Sequence, residues 1–155
     1  MRIFNMSAMV VFALMPWPAL AQQAAVEASA AWVRRAPPDA MMLAGYLTLT
    51  NTGDAPAELE SAHSDAFGSV EVHRTVIVDG ISRMRAVPNL RIAPGESVRF
   101  SPGGMHLMLM QPVAQLGERV DIVFVWRDGS HLTVAFALQQ DAPNSGGAKH
   151  PGSPG

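Results

Sequence analysis

Ser69–Val87 reads SVEVHRTVIVDGISRMRAV. Runs with β-branched residues flank Asp79-Gly80, and Asp-Gly between such runs is a strong hairpin signal, because a type I′ turn requires positive φ at both central residues. If those two residues form the whole loop, Val78 faces Ile81, Thr75 faces Met84 and His73 faces Ala86. Side chains two apart on a strand share a face. His73, Thr75, Met84 and Ala86 then point the same way, with Met84 a diagonal neighbour of His73 at roughly 7–8 Å. A slip of one residue would put the imidazole and the thioether on opposite faces.

The same texture runs outward in both directions. Short runs rich in β-branched and aromatic residues are expected as strands at Val26–Arg34, Leu43–Thr50, Glu58–His63, Ser69–Val78, Ile81–Val87, Ser97–Phe100, Met105–Gln111, Arg119–Trp126 and His131–Leu138. Between them stand Asn51-Thr52-Gly53-Asp54, Ala93-Pro94-Gly95-Glu96, Pro102-Gly103-Gly104 and Asp128-Gly129, all turn chemistry. A two-residue turn at Asp128-Gly129 would set His131 across from Trp126. No long helical periodicity interrupts this pattern, so the expected class is all-β, a β-sandwich or a Greek-key β-barrel.

The ends read differently. MRIFNMSAMVVFALMPWPALAQQ begins with a charge at Arg2, continues apolar from about Met6 to Leu14, and offers Ala19-Leu20-Ala21 as a small-x-small cleavage site. That is the layout of a secretory signal peptide over residues 1–21, too short and too interrupted by proline to span a bilayer comfortably, with a retained membrane anchor as the alternative. The mature chain is expected to start at Gln22, with a barrel domain over 22–138 and a disordered tail over 139–155, where QQDAPNSGGAKHPGSPG has too few apolar side chains to offset the entropy of ordering. Export is expected to place the protein in the periplasm, with no stable membrane insertion once the leader is removed. A net charge of −2 and the lack of a basic cluster argue against nucleic acid as a partner. The chain contains no cysteine, which excludes disulfides, thiolate metal sites and thiol redox catalysis.

Pro102–Pro112 reads PGGMHLMLMQP. Alternation puts His106, Met108 and Met110 on one face and Met105, Leu107 and Leu109 on the other. A strand built only to fill a core would use Val, Ile and Leu. Each residue has an ordinary reading by itself: Met84 as a core gap-filler, His73 as a solvated strand residue, Met110 as a hydrophobic rim or a spare ligand. Met105 reads as packing, and Arg74, Arg83 and Arg85 as a solvated face or a steering surface for an acidic partner. Taken together, His73 with Met84 and His106 with Met108 form two same-face pairs of imidazole and thioether. Thioether sulfur is soft and favours Cu(I) over hard cations, whereas zinc is ordinarily met by Cys, His or carboxylate.

The order of these four, H-x10-M-x21-H-x-M, resembles the copper-binding signature of the PCuAC family of bacterial periplasmic copper chaperones. GYLTLTNTGD at Gly45–Asp54, VEVH at Val70–His73, RMRAV at Arg83–Val87 and PGGMHLMLM at Pro102–Met110 share in the resemblance, which covers about Val26 to Leu138. It implies a cupredoxin-like Greek-key barrel binding one Cu(I) per chain through His73, Met84, His106 and Met108. It also implies a copper acceptor protein as partner, the binuclear copper centre of cytochrome c oxidase or its assembly factors.

Other functions compete with this one. A copper enzyme of the histidine-brace type needs a mature N-terminal histidine, and Gln22 would stand there; no catalytic constellation is evident in the order of residues, and the chain is expected not to be an enzyme. A metal-free Ig-like interaction module would account for the strands but not for the four spaced donors. Copper buffering or detoxification would use the same site as delivery.

Overall fold

The computed structural model describes residues 25–37, 39–113 and 115–140; the expected signal peptide and nearly all of the expected tail lie outside them. The described chain forms ten strands: β1 (Val26–Arg34), β2 (Met42–Asn51), β3 (Ala57–His63), β4 (Phe67–Val78), β5 (Ile81–Ala86), β6 (Arg91–Ile92), β7 (Ser97–Arg99), β8 (Met105–Pro112), β9 (Arg119–Trp126) and β10 (His131–Gln139). Nine answer to the expected runs. β6 is the addition, a two-residue strand too short to show a period. It is held against β3 by the pairs Ala57–Ile92 and Glu58–Arg91.

Seven strands close on themselves in the order β4-β8-β2-β1-β10-β9-β3, and the pair Ala62–Val70 joins β3 back to β4. Closure removes the sheet edges that an open sandwich would leave, so the fold is a barrel, all-β and cupredoxin-like. One seam is parallel, β1 with β10, which no hairpin could make. The interior is filled by one face of each strand. Leu47, Leu49, Leu107, Leu109, Ile122, Phe124, Trp126 and Phe136 are all fully buried there, with Phe124 and Phe136 stacked at 6.5 Å. Burying a Leu or Phe side chain stabilises by about 1.5–3 kcal/mol, and a core of this size takes the place of the missing disulfides.

Among the described residues, Asn51 is the one polar side chain buried as deeply as that core. Its amide donates to the carbonyls of Ala55 at 2.8 Å and Ile92 at 3.0 Å, and its oxygen accepts from the Gly53 amide at 3.0 Å. One side chain thus pins the NTGD turn to β6.

The two Asp-Gly turns differ. At Asp79-Gly80 both residues have positive φ, 52° and 76°, and Val78 pairs with Ile81: the expected type I′ hairpin. At the second, only Gly129 has positive φ. Its amide donates to the Trp126 carbonyl at 2.9 Å, the Trp126 amide donates to Ser130, and His131 lies across from Val125. The loop therefore contains three residues, Arg127 to Gly129, in the type I plus left-handed arrangement common for that length. His131 does not face Trp126.

Candidate metal centre

β4 is longer than the barrel needs, and its far end leaves the wall with β5 as a projecting hairpin. The register there is the expected one, with Thr75 opposite Met84 and His73 opposite Ala86. On its other side β4 runs against β8, where His73 is opposite His106 and Glu71 opposite Met108. The outer face of β5, β4 and β8 therefore brings Met84, His73, His106 and Met108 onto one patch. The two imidazole centroids are 6.1 Å apart. Exposure is graded across the patch: His106 is buried at 6 %, Met108 is half-buried and Met84 is 60 % exposed at the sheet edge.

In the neutral rings, the hydrogen-bond acceptors assign the bare nitrogen of each histidine. His73 Nε2 is 2.9 Å from a Glu71 carboxylate oxygen. A carboxylate accepts, so Nε2 carries the proton and Nδ1 holds the lone pair. That Nδ1 is buried and has no hydrogen-bond partner. His106 Nδ1 lies 3.2 Å from the Gly104 carbonyl, which also only accepts; Nδ1–H donates and Nε2 is left bare. A partner on the far ring nitrogen that fixes tautomer and orientation is the usual support of a metal-binding histidine.

The turn before β8 makes the second of these bonds possible. Gly104 donates to the Ser101 carbonyl at 3.0 Å, and Gly103 has φ of 78°, a type II turn with Pro102 and Gly103 at its centre. The Gly104 carbonyl also accepts from the Thr75 amide at 3.1 Å, so the turn is tied to β4 while it holds the ring of His106. β7 and β8 both lie antiparallel along β2, and this turn is an excursion between two segments that share a neighbour. The parts played by Glu71 and Gly104 were not read from the sequence. A carboxylate two residues from His73, on the same strand face, was the signal for the first; the second depends on backbone contacts with no sequence mark.

Further along the outer face, Met42 lies opposite Met110 and Ala44 opposite Met108. Tyr46 is next on β2, packed on Trp32 of β1 with centroids 4.6 Å apart, and the Arg34 guanidinium lies 5.9 Å from the Trp32 ring. Burial pushes the Tyr46 phenol above its ordinary value of 10.0, and the charge of Arg34 draws it back in part. On the opposite side of the hairpin, Arg74 faces Arg85 directly and Arg83 faces Val76. None of the three arginines forms a salt bridge among the described residues. Met105, with the other parity, is buried in the core, and His63 is exposed at the end of β3.

A closed seven-strand barrel with two imidazoles and two thioethers on one outer face defines a cupredoxin-like domain of the PCuAC type. The chain belongs to the LpqE-like family, described as "Putative lipoprotein LpqE-like", whose pattern matches residues 26–138. It is 35% identical over 117 residues to "Putative lipoprotein Lxx21020" of Leifsonia xyli subsp. xyli, covering 74% of this chain and 69% of that one. It is 32% identical over 101 residues to "Uncharacterized protein RP573" of Rickettsia prowazekii, covering 63% of this chain and 56% of the relative. Among solved structures it resembles the copper-bound PCuAC domain from PmoF2, with a TM-score of 0.62 at 19% identity over 79% of this chain and 97% of the other, a likeness of fold. It also resembles the solution structure of CuI-DR1885 from Deinococcus radiodurans, with a TM-score of 0.58 at 30% identity over 77% of this chain and 79% of that one. No helix among the described residues is long and apolar enough to cross a membrane.

Proposed function

We propose that this protein is a periplasmic copper carrier that binds one Cu(I) through His73, Met84, His106 and Met108 and passes it to a cuproprotein, the binuclear copper centre of cytochrome c oxidase. The observation that carries this reading is the pair of imidazoles, each with one nitrogen committed to a hydrogen bond and the other bare. The buried, unpartnered Nδ1 of His73 is a cost unless something binds it, since an unmet buried polar atom destabilises by about 1–3 kcal/mol. The centroid separation of 6.1 Å suits a shared ion. Metal–nitrogen bonds of 2.0–2.1 Å would hold two rings with centroids up to about 6.4 Å apart.

The donor set selects the metal. Among the described residues no three His, Cys, Asp or Glu side chains gather into one site, and the further donors beside the two imidazoles are thioethers, which favour Cu(I). The Deinococcus radiodurans neighbour carries CuI in its description, which supports the same choice. The names of the family and of the Leifsonia relative include the word lipoprotein, which supports an exported protein.

The gradient of exposure favours delivery over storage and over catalysis. Neutral imidazoles and thioethers bring no charge to lock the cation in place, and Met84 stands open to solvent at the edge. An acceptor offering thiolates can enter there before the old ligands leave. Arg74, Arg83 and Arg85, which form no salt bridge among the described residues, lie on the opposite side of the same hairpin and attract an acidic partner to it.

The test is anaerobic titration of the mature chain against a coloured Cu(I) chelator, alongside His73→Ala, Met84→Ala and Met108→Ala. One equivalent bound, and weakened by each substitution, is expected. Failure to compete with the chelator, or binding indifferent to all three, overturns the reading. A deletion strain separates the purposes: loss of oxidase activity under copper scarcity marks delivery, and copper sensitivity marks detoxification.

A further inference from the structure

The thioethers do not stop at Met108. In the antiparallel pair of β2 and β8, Met42 is directly opposite Met110, and Ala44 is opposite Met108. Directly opposed residues have Cβ atoms roughly 4.5–5.5 Å apart, well within the reach of two methionine side chains. Met42, Met108 and Met110 share the outer face with His106, since residues two apart on a strand point the same way.

This end of the face is open to solvent. Met42 is 56% exposed, and Met41 is 64% exposed just outside the strand. The Met41 carbonyl accepts the Gln111 amide at 2.9 Å, which fastens the start of β2 to the end of β8. An exposed rim serving only as apolar cover would be filled at lower entropic cost by a β-branched residue. Methionine gives up more rotamer freedom when held in place, and its sulfur is the property that a Val or Ile lacks. The β4 residue opposite Met110 is Ser69, so no acid or imidazole stands directly across from the pair to change its soft character.

We propose that Met42 and Met110 form a second, thioether-only position for Cu(I), adjoining the four-ligand site and serving as the point where the ion enters. This rests on the reading of the outer face as the copper face. Met110 and Met108 are two residues apart on β8, a step of about 6.8 Å along a strand. The ion moves by exchanging one neutral thioether for the next, Met110 for Met108, with no change of oxidation state. Met42 then releases it as His106 and His73 take hold. Two thioethers bind more weakly than two imidazoles with two thioethers, so this position fills after the first.

Silver(I), redox-inert and equally partial to soft donors, is the probe. It is titrated into the mature chain labelled at the methionine methyl groups and followed by 13C–1H NMR. The first equivalent is expected to move the methyls of Met84 and Met108, and the second those of Met42 and Met110. The double variant Met42→Leu with Met110→Leu, close to volume-conserving, is expected to bind the first equivalent within twofold of the parent and to lose the second. Met42 and Met110 signals that stay fixed through two equivalents overturn the proposal. So does a second equivalent that persists in the double variant. A first equivalent that misses Met84 and Met108 strikes the four-ligand reading, while the Met42 and Met110 methyls still report separately on this one.

Discussion

Glu71→Gln tests how the site is prepared for metal. The Glu71 carboxylate, opposite Met108 on the face shared by the imidazoles and thioethers, holds the Nε2 proton of His73 at 2.9 Å and so leaves Nδ1 bare in the neutral ring. A glutamine amide fills the same space but can donate as well as accept. Where it donates to Nε2, the proton moves to Nδ1 and the lone pair that would bind the ion is lost. Removing an outer partner of a metal-bound histidine typically lowers affinity 10–100-fold, or about 1.4–2.7 kcal/mol. The Glu71 side chain is 50% exposed, so water can replace part of what it provides, and about tenfold is the expected loss. The assay is Cu(I) competition against a coloured chelator, run anaerobically at fixed pH with Glu71→Gln, Glu71→Ala and the parent. Gln is expected to be at least as damaging as Ala, because Ala admits a water that can still accept from Nε2. Parental affinity in both variants would refute the assignment of Nδ1 as the bare nitrogen of His73.

Asn51→Ala removes three side-chain hydrogen bonds from a buried position, at about 1 kcal/mol each; a loss of about 3 kcal/mol and a fall in Tm of roughly 10 °C are expected in thermal unfolding, and an unchanged Tm would show that water satisfies the turn. Tyr46, with its phenol raised by burial, binds its proton more tightly folded than unfolded, so its contribution is fully present below about pH 10 and is lost as pH rises through the folded-state value. Chemical unfolding of the parent is expected to show stability declining above pH 10 more steeply than in Tyr46→Phe; parallel curves would count against that burial effect. Arg83→Glu with Arg85→Glu is expected to slow copper transfer to an acidic acceptor by about tenfold or more at low salt, with a difference that shrinks as salt rises. A stopped-flow rate equal to the parent's at low salt would remove these arginines from partner recognition.

The sequence determined what is local. Period-two alternation marks β8 as a strand with His106, Met108 and Met110 on one side, because strand side chains alternate whatever lies nearby. At Asp79-Gly80 the two-residue loop that the dipeptide favours is the one that forms, and its register places Met84 with His73. Where local chemistry allowed two outcomes the reading slipped. Asp128-Gly129 fits a two-residue or a three-residue loop, and the one-residue difference set His131 opposite Val125. β6 has two residues and no period, and exists because the β3 ladder and the carbonyl held by Asn51 draw Ile92 into place.

Only the tertiary structure decided which strands are neighbours. That His73 meets His106 follows from β4 lying beside β8, and the parallel seam of β1 and β10 and the closure of β3 on β4 follow from burying one apolar face around a ring. Four side chains scattered along the chain come onto one outer patch because the barrel must close over its leucines, and closing it turns the imidazoles and thioethers outward together.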